Sequence, residues 1–217
     1  MISTERKILG LQRNVFFTGL TSFFTDISTK MIYSVMPLFL LSIGASKTSI
    51  SLIEGLAEST ASLFKAFSGY WSDKIGKNKP FMLFGYGVTA LVTPLYVLVR
   101  LPVHVLFLRF FEKMGKGMRA APRDSLISGS VTVNDAGKNF GFHKAMDNSG
   151  AIIGPLMAFL LLYYFPINYT NIFLIATIPA IIGVVTIALF IKEARSGMKH
   201  LKPKIQLKHL STRFWFF

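Results

Sequence analysis

The sequence predicts an all-α membrane protein with six transmembrane helices. Three observations carry this: a composition poor in charge, apolar stretches long enough to cross a bilayer, and a one-sided distribution of Lys and Arg. Apolar residues make up 52% of the 217 positions, aromatics 14% and charged residues only 16%, against about 25% charged in ordinary soluble domains. The chain has 21 Phe and no Cys, which excludes disulfides and thiol chemistry. A net charge of +14 would suggest nucleic acid if the chain were soluble. Here the basic residues lie between long apolar runs, and uncharged spans exclude a nucleic-acid partner.

A hydrocarbon core of about 30 Å needs roughly 20 apolar residues in a helix. Residues 1–13 form a cytoplasmic tail, and the first span, Asn14–Ile43, carries Asp26 and Lys30. Arg6, Lys7 and Arg13 ahead of an apolar run resemble a signal peptide. No small-x-small cleavage site follows Ser22–Phe24, however, and Asp26 interrupts the run, so the span is read as uncleaved. The second span, Ser49–Trp71, carries Glu54, Glu58 and Lys65. The third, Pro80–Val99, has no charge. The fourth is clearly apolar only over Leu101–Phe111, is interrupted by Arg109, and is followed by Glu112, Lys113 and Lys116. Hydropathy alone makes it a half-span or a surface helix. The fifth, Ser149–Phe165, is short, uncharged and extends back toward Phe142; the sixth is Tyr169–Ile191. The bundle thus covers 14–191. A basic cytoplasmic linker follows over 192–213, and 214–217 begins a truncated seventh span.

Charge placement decides the fourth span. With a cytoplasmic N-terminus and six crossings, 17 of the 24 Lys and Arg fall inside, and only Lys47 and Arg100 fall outside. The other five (Lys30, Lys65, Arg109, Lys113 and Lys116) sit within spans. That asymmetry follows the retention of basic loops in the cytoplasm. It is expected of a membrane protein with both termini cytoplasmic.

Ionisable side chains within a span cost at least about 2.5–3.5 kcal/mol each, so they face protein or water and usually pair. At 100° per residue, Glu58 and Lys65 lie within about 40° of Glu54, and Lys113 and Lys116 within about 40° of Arg109. Asp26 and Lys30 are one turn apart. Acidic faces on spans 1 and 2 and a basic face on span 4 are expected to meet in a polar interior, with the charge-free spans 3, 5 and 6 nearer lipid. Asp26, Lys30, Glu54, Glu58, Arg109 and Lys113 are therefore the candidates for cavity lining and proton coupling. Asp26 and Glu58 are the favoured proton sites, and locking by Lys30 or Lys65 is the alternative. The four His show no metal-ligand spacing, and there is no Ser-His-Asp pattern or phosphate loop, so neither an enzyme nor a cofactor or metal site is expected.

The loop after span 2 reads Gly69-Tyr70-Trp71-Ser72-Asp73-Lys74-Ile75-Gly76-Lys77-Asn78-Lys79. It resembles the major facilitator signature Gly-x-x-x-Asp-(Arg/Lys)-x-Gly-(Arg/Lys)-(Arg/Lys)-(Arg/Lys), departing only at Asn78. On chemistry alone, Gly69 permits close helix approach, Gly76 a tight turn, and Lys74, Lys77 and Lys79 contact with anionic lipid. The resemblance implies a gating loop between inward- and outward-open states, with Asp73 contacting span 4 and a second half. Gly150-x-x-x-Gly154-Pro155 resembles the start of an element found in proton-antiporting exporters, with Ala158 and Phe159 in place of its last glycines. The same spacing serves ordinary close helix packing, which is the preferred reading.

Thr21–Tyr33, Gly115–Asp124 and Gly141–Asp147 are similar to a prokaryotic branch of permeases of mostly unassigned substrate, whose members carry Glu at the position of Lys30. Full members have twelve spans, so the resemblance implies the N-terminal half of a carrier. Such a carrier moves a small solute, with protons, by alternating access between two six-helix halves. The missing half or a second copy is the expected partner, and the chain as a lone monomer is expected not to transport. An inactive truncated fragment or a non-transporting membrane scaffold is the alternative.

Overall fold

The computed structural model describes residues 7–165 and 168–193, and these are almost entirely helical. Six long helices follow one another: α1 (Arg13–Ser42), α2 (Lys47–Ile75), α3 (Lys79–Leu95), α4 (Pro102–Ser130), α5 (Ala136–Tyr164) and α6 (Tyr169–Phe190). Short 3-10 turns at Tyr96–Leu98 and Val133–Asp135 extend α3 and precede α5. The linker beyond Glu193 and the start of a seventh span lie outside the described residues.

Local chemistry explains where the helices stop. Ser46 caps α2, its hydroxyl accepting from the Ser49 N–H at 3.1 Å; a buried or orphaned helix N-terminus needs such a partner. Gly76 ends α2 at φ +70° and donates to the Ser72 carbonyl at 2.8 Å, a left-handed cap that favours glycine. Pro sits in the first turn of α3 and α4, where its missing N–H costs nothing. Pro37, Pro94, Pro122, Pro155 and Pro179 lie inside helices, a pattern ordinary in membrane helices and costly in soluble ones.

The helices neighbour one another in the order α2, α4, α3, α6, α1, α5, and α1 also approaches α4 across the middle. One end of the bundle gathers the start of α1, the end of α2, the start of α3 and the end of α6. There the Asn14 side chain donates to the Lys192 carbonyl at 3.0 Å and accepts from the Lys192 N–H at 3.2 Å. The Glu193 carboxylate accepts from the Asn78 and Lys79 N–H groups at 2.6 and 3.0 Å. A carboxylate at a helix N-terminus satisfies orphan donors and the helix dipole together. The one position departing from the loop signature, Asn78, therefore contributes its backbone here.

Small residues let the backbones meet. A Cβ at Gly150 would lie 2.5 Å from the Phe23 carbonyl oxygen, and one at Gly154 2.7 Å from that of Ile27. The same holds between α4 and its neighbours, where a Cβ at Gly117 would reach Ala61 O at 2.5 Å and one at Gly85 would reach Gly115 O at 2.5 Å. Around these crossings a larger core forms from Met31, Val35, Phe39, Leu40, Tyr96 and Phe173. A smaller core, at the end that gathers the start of α3 and the end of α6, holds Met82, Tyr86, Leu126, Ile187 and Ile191.

Three sequence expectations change. Span 4 is one unbroken 29-residue helix from Pro102 to Ser130, so its charged half is neither a loop nor a separate surface helix. The fifth helix extends back past Phe142 to Ala136, and this added stretch carries Lys138, Lys144 and Asp147. The expected sorting of charged helices inward also fails for α2, which buries only Ile53, Ala57, Thr60, Ser68 and Ser72. Its Glu side chains reach inward from an edge position, while Leu52, Leu56, Leu63, Phe67 and Tyr70 face out. Charge-free α6 instead lies deep, packed on α1 and α3. By length and composition, three helices among the described residues are apolar enough to cross a membrane: Lys79–Leu98, Ala136–Tyr164 and Tyr169–Phe190. Charges lower the hydropathy of α1, α2 and α4.

Candidate functional site

Those charges converge. A cleft of about 280 Å³ opens between α1, α2 and α4, lined by Asp26, Thr29, Lys30 and Tyr33 of α1, by Glu54 and Glu58 of α2, and by Arg109, Glu112, Lys113, Lys116 and Arg119 of α4. The six cavity candidates of the sequence all line it. Two helix crossings set its shape: Gly150 and Gly154 of α5 seat against α1 directly beside the Cβ atoms of Asp26 and Lys30, and Gly117 of α4 seats against α2 at Ala61–Lys65.

Arg109 is the anchor. It is 1% exposed, and its guanidinium forks onto Glu54, with Nε–Oε1 at 3.0 Å and Nη2–Oε2 at 2.5 Å. Nη1 donates to Glu112 Oε2 at 3.0 Å, and the Tyr96 hydroxyl donates to the same oxygen at 2.9 Å. The Tyr33 ring covers the guanidinium with its centroid 5.3 Å away. Bidentate geometry of this kind makes strong, directional bonds. One turn further, Lys113 donates to Glu58 Oε2, and Lys116 lies 3.9 Å from Glu58 Oε1. The acidic face of α2 is thus held rung by rung on the basic face of α4.

A second polar cluster joins α1 to α5. Asp26 faces Asp147 across the α1–α5 crossing at Gly150, within the field of Arg119 and Arg123 of α4. Lys144 Nζ lies 3.1 Å, and Arg123 Nη1 3.9 Å, from the Asp147 carboxylate. A turn back on both helices, the Ser22 hydroxyl sits 3.0 Å from His143 Nε2 and 3.0 Å from the Tyr86 hydroxyl. Arg119 lies over the Tyr86 ring at 4.4 Å and donates to Thr89 Oγ1 at 2.7 Å.

The two locks of the alternative reading are not formed among the described residues. Among the described residues Lys30 makes no ion pair with Asp26; its ammonium lies over the Tyr33 ring at 5.4 Å. Lys65 is exposed and outside the cleft, because three turns of α2 carry it past the cleft toward the Gly76 end. Sequence reasoning did not single out Glu112, Arg119, His143 or Asp147 as site residues. Glu112 and Asp147 had local signals, three residues after Arg109 and after Lys144, but their partners on other helices had none.

The expected gating loop is largely helix: Gly69, Asp73 and Lys74 lie at the end of α2, and only Gly76–Asn78 link it to α3. Gly69 lets α2 approach Ala121 of α4, where a Cβ would come within 3.2 Å. Lys74 and Lys77 are exposed, and Lys79 Nζ donates to the Ala188 carbonyl at 3.0 Å. Asp73 is exposed and makes no ion pair among the described residues. Pro155 lies inside α5, one residue past Gly154.

Comparison with known proteins places this architecture. The sequence profile of the Major Facilitator Superfamily matches residues 18–217. The chain belongs to the Major Facilitator Superfamily. It is 35% identical over 209 residues to an uncharacterised MFS-type transporter of Methanocaldococcus jannaschii, covering 91% of this chain and 52% of that protein. It is 26% identical over 163 residues to a Lactococcus lactis protein named a multi-drug resistance efflux pump PmrA homolog, covering 72% of this chain and 40% of that one. A crystal structure of a POT family transporter in complex with 5-aminolevulinic acid shares the fold at a TM-score of 0.76 and 18% identity, covering 86% of this chain and 39% of the other. The chain therefore spans about half the length, or less, of the relatives it matches.

Proposed function

We propose that this chain is the first six-helix half of a twelve-helix, proton-coupled carrier that moves a small solute across a prokaryotic inner membrane by alternating access. The observation that carries the reading is the charged cleft held inside a bundle whose outer faces are apolar. A polar path walled by apolar helices is what solute passage through lipid requires, since unsheltered charges are too costly there. The 17-to-2 distribution of basic residues supports six crossings with both termini cytoplasmic. Similarity to a protein named an efflux pump homolog supports export as the direction.

For proton coupling, Asp26 beside Asp147 is better placed than Glu58. Two carboxylates that face each other repel when both are ionised, and a proton shared between them removes that repulsion. Asp26 lines the cleft, so that proton can exchange with the solute path. Glu58 is instead occupied by Lys113 and Lys116 and serves as a helix-pairing group. Asp73, exposed and unpaired among the described residues, is the gating-loop carboxylate left for the companion half to contact.

Two experiments test this reading. Single cysteines are clean reporters because the chain has none of its own. In sealed, oriented vesicles, Lys77→Cys and Lys144→Cys should label from one side and Lys47→Cys and Arg100→Cys from the other. Labelling of Lys77→Cys and Lys144→Cys from opposite sides would end the six-crossing reading. For coupling, the chain is co-reconstituted with a second six-helix half, from a second copy or a full-length relative, in liposomes holding a pH dye. Solute-dependent proton movement is expected and should fall at least about tenfold in Asp26→Asn. Solute flux with unaltered proton movement in that variant would remove Asp26 from the coupling role.

A further inference from the structure

The cleft has an uneven charge inventory, and its geometry shows where the excess lies. Five cations and four carboxylates line it. Glu54 and Glu112 are both consumed by Arg109, and Glu58 is consumed by Lys113. Arg119 is buried, with its plane on Tyr86 and a nitrogen on Thr89. Asp26 is turned to Asp147 on α5. Lys30 remains. Among the described residues it has no carboxylate within 4 Å, and its ammonium rests only against the Tyr33 ring. Lys116, also on the cleft wall, is held loosely, 3.9 Å from Glu58 with its side chain 52% exposed.

We infer that the cleft binds a small organic anion, its carboxylate, phosphate or sulfonate group held by Lys30 with Lys116 assisting. An ammonium within a bundle should have an anionic partner, and the neighbouring protein acids are already taken. Held at the Cβ by close packing against Gly154, Lys30 is positioned by the α1–α5 crossing, not by an ion pair. Its flexible stem can follow an entering anion and release it, whereas bidentate Arg109 is fixed in place. The inference rests on the carrier reading and adds the charge class of the solute.

The test reads the charge preference of the cleft without needing transport. Thr29 lines the cleft, and Thr29→Cys would be the sole cysteine of the chain. In nanodiscs, its rate of modification by the anionic reagent methanethiosulfonate ethylsulfonate is compared with that by the cationic trimethylammonium analogue. Each rate is normalised to the same reagent's reaction with a free thiol. The anionic reagent, itself a small organic anion, is expected to be favoured about tenfold. The preference should disappear in Lys30→Gln, reverse in Lys30→Glu, and survive Lys65→Gln on the exposed part of α2. A normalised preference for the cation would overturn the inference, as would an anion preference indifferent to Lys30→Gln or no reaction with either reagent. Each of these can occur while the proton-movement assay still reports solute transport, so the two readings fail separately.

Discussion

Replacing Arg109 by Ala should destabilise the bundle by about 3–5 kcal/mol, the range for removing one partner of a buried ion network. The loss is large because three groups are stranded together. Glu54 loses a bidentate partner, Glu112 loses the cation beside it, and the Tyr96 hydroxyl is left donating to an uncompensated carboxylate. Arg109→Lys should recover only part, since one ammonium cannot fork onto Glu54 and still reach Glu112. Adding Glu54→Gln and Glu112→Gln to an Arg109→Leu variant should restore much of the stability by removing the stranded charges. Helical circular dichroism of the detergent-solubilised chain during heating reads all four variants. An Arg109→Ala melt superimposable on the parent would show that the network contributes no net stability.

The second large effect concerns space, not charge. Gly150→Ala introduces a methyl 2.5 Å from the Phe23 carbonyl oxygen, and the obstructing atom is backbone, so α1 and α5 must separate. A cost of about 1–3 kcal/mol is expected, and the Asp26–Asp147 contact opens with it. Gly141→Ala makes the same chemical change on the same helix where nothing lies within 4 Å. There the better helix propensity of Ala should be neutral or stabilising by up to about 1 kcal/mol. Opposite signs for one substitution at two positions of α5 isolate helix approach from helix propensity. Equal melting temperatures for the two variants would mean that the α1–α5 crossing is looser than described.

Individual residues show how far the sequence could be read. Arg109, Glu54 and Glu58 were legible because a charge inside an apolar run is conspicuous and helical phase says which charges share a face. Gly69, Gly76, Gly150 and Gly154 were legible because positive φ and close approach restrict those positions to glycine. The full extent of α4 was not. Its second half is polar along the sequence but buried in part by α2 and α3, and hydropathy cannot register shelter supplied by other helices. The start of α5 failed for a different reason: Lys138 and Lys144 are helical but exposed, and hydropathy registers no polar, exposed turn of helix.

Pairing was the hardest to foresee. From spacing, Lys30 belongs with Asp26 one turn away, and Lys65 with the acids of α2. The bundle instead gives Asp26 to Asp147, 121 positions on, and Glu54 to Arg109, 55 positions on. Side chains one turn apart on a helix can meet, but they do so only when nothing better faces them, and the facing groups come from distant sequence.

The sequence alone determined a bundle of long apolar helices with charges set inside some of them. Those properties follow from composition and helical period, which are local. Which carboxylate holds which cation, and which ammonium is left for a solute, was decided only by tertiary structure. Glycine crossings bring helices together at separations no periodicity encodes, and each ionic partner is chosen by what lies across the gap.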